Sequence, residues 1–220
     1  VGRLAYIQLK SGDRYAKIVL NQQEYSSKTI PFRRGDIVDR KGTVLATSTD
    51  VYNVILDCYV LTSKNDYLEP TLSALNQCFG LDTEELRAYV SANPKKRYYV
   101  LAKKLPYEEI AQFESLQNDK KTGKNIKGVW FEKEYIRNYP YDSLACSILG
   151  FTTSGNEGIG GLEDYYNSTL NGIDGKEYGY VNADSNYEIK VKEATDGYNV
   201  VSTIDANLQS IVESKIAEFN

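Results

Sequence analysis

The chain has 220 residues, of which 41% are hydrophobic and 25% charged, a balance ordinary for a globular protein and unlike that of disordered or fibrous chains. Its net charge of -4 and pI near 5.1 argue against a nucleic-acid partner, which would call for a basic surplus on one face. Zero histidine removes the Ser-His-Asp and Cys-His constellations and every His-ligated metal site together; no other motif calls for a cofactor or a metal, and neither is expected.

The predicted elements alternate in character along the chain. Residues 1–9 read as a strand, followed by a helix over Asp13–Gln23 with Ser11 as its cap. A loop rich in charge and glycine occupies 34–42. Residues Thr43–Thr47 and Val51–Asp57 then read as a hairpin around Ser48-Thr49-Asp50. Leu68, Leu72, Leu75 and Phe79 recur at helical spacing, Asp82 opens a second helix that stops before Pro94, and Tyr98–Ala102 is strand-like. Pro106 starts a helix through Ile110, Phe113 and Leu116 with glutamates in its first turn. After the polar loop 118–125 the β pattern returns at Val129–Ile136, Glu177–Val181, Tyr187–Val191 and Asn199–Thr203. Asp205 caps a final helix whose stripe Leu208, Ile211, Val212, Ile216 and Phe219 calls for a partner. Strands at both ends around a helical middle give an α+β architecture. The expected division is a β-rich body from 1–60 and 126–205, a helical head over 61–125, and the start of an exit helix at 206–220.

Residues 1–50 hold nine Lys/Arg against five Asp/Glu. Such a basic end suits anionic lipid or a pyrophosphate-linked precursor, and equally the solvated faces of its elements. The chain has no methionine, so it is expected to be a fragment or a processed form. Its first residues contain no apolar run near the roughly 20 that a membrane span needs. Cys58, Cys78 and Cys146 have no metal-ligand spacing and sit among apolar neighbours, so all three are expected to be small core residues.

The segment 34–46, RGDIVDRKGTVLA, ties charge to glycine. Gly35 and Gly42 stand where φ > 0 is accessible, and Arg34, Asp39 and Arg40 are placed to make charge-assisted hydrogen bonds. This pattern resembles the opening signature of class B penicillin-binding proteins. Three further blocks follow in that family's order. The first is Arg137-Asn138-Tyr139-Pro140, leading to a short helix and glycine turn at 145–151. The second is Gly158-Ile159-Gly160-Gly161-Leu162-Glu163 with its continuation at 170–175, and the third is the stretch 196–205.

The resemblance implies the non-catalytic extracytoplasmic pedestal that precedes a D,D-transpeptidase domain, with a single membrane-anchoring helix ending before Val1. It implies as partners that transpeptidase domain, a membrane-embedded glycan polymerase reached through the basic N-terminal segment and the helical head, and other cell-wall synthesis proteins. A homodimer is left open. By resemblance and charge complementarity, Arg34, Asp39, Arg40, Arg137 and Glu163 are expected to form one polar cluster locking the β body, with Glu163 turned inward toward the arginines. Gly35, Gly42, Tyr139, Pro140, Gly160 and Gly161 shape the segments around it.

Other chemistry only resembles a site. A penicillin-reactive domain needs Ser-x-x-Lys, which the chain lacks, and Lys121-Thr122-Gly123 lies in a polar loop with no strand around it. The glycines at 155–161 match no phosphate-binding motif. The rival reading is a free-standing secreted enzyme acting on wall glycan through a carboxylate pair, Glu163 with Asp164 or Glu132 with Glu134. Nineteen tyrosines allow a carbohydrate surface, although strand packing accounts for them more simply. The acceptor pattern Asn167-Ser168-Thr169 has meaning only in a eukaryotic secreted protein.

Overall fold

The computed structural model describes residues 28–181 and 187–219. The strand expected at 1–9 and the helix at Asp13–Gln23 lie outside them. The architecture is α+β, and the chain divides into two compact units, one of residues through Ser48 with those from Arg137 onward, the other Thr49–Ile136.

The second unit is helices packed on a small sheet. Strand β3 (Val44–Leu56) enters it and pairs antiparallel with β4 (Tyr99–Leu105), Val54 opposite Ala102 and Leu56 opposite Tyr99; β5 (Val129–Asn138) also pairs with β3. Helix α1 (Cys58–Ser63) begins at Asp57, whose side chain accepts from Val60 N; the sequence analysis missed this helix because it is one and a half turns long. Helix α2 (Asn65–Phe79) buries Leu72 and Leu75 at the spacing expected, and ends at Gly80 in the left-handed conformation. Asp82 caps α3 (Thr83–Ala92) through Glu84 N and Glu85 N, and α4 (Tyr107–Asn118) starts directly after Pro106. These helices and the inner face of β3 enclose Val54, Leu56, Leu61, Leu72, Leu75, Ile110 and Phe113, all at most 1% exposed. Phe113 sits edge-on to Phe131 at 5.7 Å.

The hairpin expected around Ser48-Thr49-Asp50 does not form, and β3 continues through these residues as one strand. The turn-forming residues are satisfied instead by side chains: Arg137 donates to Ser48 Oγ at 3.2 Å, and Lys133 pairs with Asp50 at 3.0 Å. With those partners the polar triplet loses its reason to fold back on its own backbone.

The first unit is built from both ends of the chain. Strand β1 (Lys28–Ile30) pairs antiparallel with β8 (Gly175–Val181), which on its other edge pairs antiparallel with β9 (Tyr187–Lys192). Strand β2 (Ile37–Val38) lies between the start of β3, antiparallel, and β10 (Val200–Val201), parallel. The turns between carry α5 (Cys146–Leu149), the β6–β7 pair (Phe151–Thr152 and Gly158–Ile159), α6 (Gly161–Tyr165) and α7 (Asn167–Leu170). Ile37, Leu45, Ala46, Leu149 and Leu170 form its core. Helix α8 (Ala206–Phe219) ends the described chain.

Of the cysteines, Cys58 is buried and Cys78 half-buried, but Cys146 is exposed. Its neighbours Ala145 and Leu149 turn into the core, and one turn of helix faces Cys146 to solvent. Burial raises the Cys58 and Cys78 thiols above their ordinary values.

Candidate functional site

The signature charges separate into two groups. The first is centred on Arg34, which lies in extended chain between β1 and β2 and, like Glu163, has a side chain 0% exposed. Arg34 Nε donates to Glu163 Oε2 at 2.9 Å, and Nη2 donates to the Glu163 backbone carbonyl at 2.8 Å. Its Nη1 reaches three acceptors: Asn156 O at 2.9 Å, Asn167 Oδ1 at 2.8 Å and Asn171 Oδ1 at 2.6 Å. From β5, Arg137 Nε donates to the other oxygen, Glu163 Oε1, at 2.7 Å, and Nη1 donates to Gly35 O at 2.8 Å. Tyr139 OH donates to the same Oε1 at 3.3 Å, and Ser48 Oγ donates to Arg34 O at 3.1 Å.

One carboxylate is therefore shared by two guanidinium groups, leaving a net positive charge in a buried site. Burial pulls Arg34 below its ordinary pKa, against the hydrogen bond and charge of Glu163, which raise it. Burial likewise raises the Tyr139 hydroxyl, with the Glu163 charge adding to it. Arg137 Nη2 is the one buried side-chain nitrogen or oxygen without a hydrogen-bond partner among the described residues.

Glu163 reaches this position because Gly160 and Gly161 both take positive φ, +67° and +56°, and turn the chain into α6. A Cβ on Gly161 would lie 2.2 Å from Ile148 O, so no other residue fits there.

The second group holds Asp39 and Arg40. Asp39 Oδ1 accepts from Lys41 N and Thr43 N, both at 2.8 Å, and its Oδ2 accepts from Ala206 N at 3.2 Å. Arg40 and Lys41 pair with Asp205 at 2.5 and 2.9 Å. Desolvation acts to raise the Asp39 carboxyl, but the amides of Thr43, Ala206 and Lys41 outweigh it and hold it below the usual range. Asp205 is held at about 2, first by its hydrogen bond from Lys41 and then by Leu208 N–H. The single cluster expected from charge complementarity thus divides. Arg34, Arg137 and Glu163 meet, whereas Asp39 and Arg40 face the start of α8.

The two signature glycines differ in kind. Gly42 takes φ +88°, as expected for a tight turn, but Gly35 does not have a positive φ. Gly35 is needed for space, since a Cβ would fall 2.0 Å from Tyr198 O. Pro140 is exposed at the turn after β5.

The sequence analysis missed Asn156, Asn167, Asn171 and Ser48 as members of the first group, and Arg33 and Asp36 as a third pair at 2.8 Å. The Asn167 pattern was noticed only as a glycosylation acceptor; its amide oxygen instead takes hydrogen bonds from Arg34 and from Gly158 N.

Glu163, fully enclosed, cannot meet a substrate, and Asp164 beside it faces solvent. Glu132 accepts from Tyr98 OH at 2.7 Å and Trp130 Nε1 at 3.2 Å, while Glu134 accepts from Asn53 at 2.9 Å. Among the described residues no group of His, Cys, Asp or Glu is placed to hold a metal ion, and no helix is long and apolar enough to cross a membrane. The arrangement serves to bind distant chain segments to one another.

The fold is that of solved penicillin-binding proteins. Penicillin Binding Protein 2X from Streptococcus thermophilus matches 88% of the chain, using 31% of its own length, at 24% identity and TM-score 0.71. The penicillin-binding protein PBP2 of Helicobacter pylori, solved in complex with MreC, matches 87% of the chain and 38% of its own, at 21% identity and TM-score 0.57. The family model for the Penicillin-binding Protein dimerisation domain matches residues 29–202, and the chain belongs to that family, the dimerisation or pedestal domain of class B penicillin-binding proteins. Similar curated proteins include stage V sporulation protein D of Bacillus subtilis, 27% identical over 97% of the chain and 32% of that protein. Another is peptidoglycan D,D-transpeptidase FtsI of Escherichia coli K12, 26% identical over 96% of the chain and 35% of that protein. The chain spans about a third of the length of these relatives.

Proposed function

We propose that this chain is the non-catalytic extracytoplasmic pedestal of a class B penicillin-binding protein, positioning a peptidoglycan D,D-transpeptidase domain relative to the membrane. The carrying observation is that these signature charges are consumed internally: Arg34 and Arg137 both pair with Glu163, and the three side chains are at most 3% exposed, so they serve architecture and not turnover. On this reading the β-rich parts from both ends form the body, the helical middle forms a head, and α8 leads toward the transpeptidase domain. The stripe Leu208, Ile211, Val212, Ile216 and Phe219, between 45% and 90% exposed, is what that domain would cover. An N-terminal helix outside this sequence anchors the parent in the bacterial cell membrane. Its partners are a membrane-embedded glycan polymerase and other cell-wall synthesis proteins, a type of assembly for which the MreC complex of the Helicobacter pylori protein gives a precedent.

The test separates positioning from chemistry. The 220-residue chain should neither be acylated by fluorescent penicillin nor turn over purified glycan. The parent carrying Arg34→Ala should still be acylated by penicillin in detergent but cross-link less peptidoglycan when reconstituted in membranes with a glycan polymerase. Glycan turnover by the chain alone, or unchanged cross-linking by the variant, would overturn the proposal.

A further inference from the structure

We propose that Asp39 and Glu213 are positioning residues that set the direction in which α8 leaves its unit, making that helix a rigid strut and not a tether; this rests on the pedestal reading above. The first turn of a helix has amides without intrahelical partners. Asp205 supplies the local cap, its Oδ1 accepting from Leu208 N at 3.3 Å. The amide of Ala206 is taken by Asp39, 167 positions away in sequence. Asp39 is itself immobilised, since its other oxygen closes the 39–43 loop and its own amide donates to Thr43 O at 2.8 Å. Arg40 N adds a bond to Ile204 O at 2.9 Å, just before the helix begins.

The second anchor lies seven residues on, roughly 10 Å along the axis at about 1.5 Å per residue. Glu213 Oε1 accepts from Ala145 N at 2.9 Å and from Gln209 Nε2 at 2.7 Å. Ala145 takes φ +55° at the start of α5, a left-handed turn that aims its N–H at the helix. A helix held at one end can pivot, whereas two anchors separated along its axis fix both tilt and rotation. Apolar burial does not supply that constraint. Within 206–219 only Ala206, Gln209 and Glu213 are not exposed, and they lie at helical spacing on one narrow, mainly polar stripe. With so little apolar area buried, the direction of α8 depends on hydrogen bonds to Asp39 and Glu213. The same two anchors determine which way the exposed apolar stripe points.

The test is a set of backbone N–H residual dipolar couplings for the 220-residue protein, with β2, β3 through Ser48, and β10 defining the alignment. In the unsubstituted protein the α8 couplings should fit that alignment. Glu213→Ala should shrink the couplings of the last two turns by at least half while the strand couplings hold. Asp39→Ala should make the Ala206 amide exchange about tenfold faster. Glu213 lies outside the signature loop, so that variant decides the matter even where Asp39→Ala fails to fold. Couplings of α8 that fit the unchanged alignment in Glu213→Ala, or that never fit it in the unsubstituted protein, overturn the strut. Loss of the strut with Arg34-dependent cross-linking intact leaves the pedestal reading standing, and the reverse result removes that reading alone.

Discussion

Replacing Arg34 by alanine removes the member of the buried cluster with the most partners. The side chains of Arg34 and Glu163 are both 0% exposed, so neither gains compensating water in the folded state. In Arg34→Ala, Glu163 Oε2, the Glu163 carbonyl, Asn156 O, Asn167 Oδ1 and Asn171 Oδ1 all lose a donor, and a guanidinium-sized space opens. Arg137 still pairs with Oε1 at 2.7 Å, so the carboxylate is not left wholly alone. Breaking a buried pair from one side costs about 3–5 kcal/mol. That is a large share of the roughly 5–15 kcal/mol by which domains are stable. At about 2–4 °C per kcal/mol for a chain of this size, the melting temperature should fall by on the order of 10 °C. Arg34→Lys should fall between the two, because an ammonium keeps the charge but cannot reach all the acceptors arrayed around the edge of the planar guanidinium fork. Differential scanning calorimetry of the three proteins at one pH measures this series. A melting temperature for Arg34→Ala within about 1 °C of the unsubstituted protein would refute the reasoning that the cluster holds the unit together.

Three other outcomes are expected. Asp205 has a folded pKa of about 2 against an ordinary 3.8. A depressed carboxylate stabilises above its unfolded value and loses that contribution as pH falls through the folded one. Urea midpoints should therefore drop between pH 4 and pH 2, and Asp205→Asn should flatten part of that slope, with Asp39, Glu69, Asp119 and Glu213, also held below their ordinary values, supplying the remainder; identical slopes would contradict this. Iodoacetamide should label Cys146 in the native protein, leaving Cys58 unlabelled until denaturant is added, as mass spectrometry can show. Gly35→Ala should destabilise by roughly 1–3 kcal/mol, since its methyl group must displace the Tyr198 carbonyl now 2.0 Å from that position. A neutral urea midpoint for that variant would mean the backbone there yields freely.

Much of the local structure was readable from neighbouring residues alone. The spacing of Leu68, Leu72, Leu75 and Phe79, the cap at Asp82 and the proline at 106 each act within a turn or two. The helices they imply are present at 65–79, 83–92 and 107–118. The ordered signature blocks likewise carried the family, and the opposite charges of Arg34, Arg137 and Glu163 were legible as a pairing. What sequence could not supply was the choice among acceptors and donors far apart in the chain. Arg34 and Glu163 stand 129 positions apart, and Asp39 and Ala206 stand 167 apart. Asp39 was indistinguishable in sequence from a further member of the arginine cluster, because charge alone does not tell which oppositely polarised group will lie within hydrogen-bond distance.

The same limit explains the continuation of β3 through Ser48-Thr49-Asp50, where local turn chemistry lost to distant side-chain partners. It also explains Gly35, whose requirement is set by the approach of Tyr198 and not by its own φ. Sequence by itself determined the longer helices of the middle, the α+β class and the family, since periodicity, capping and ordered motifs are written in adjacent residues. Tertiary structure alone decided which charges share a site, why each glycine is needed, and that Asp39 belongs to the final helix, because those depend on segments brought together only when the chain has folded.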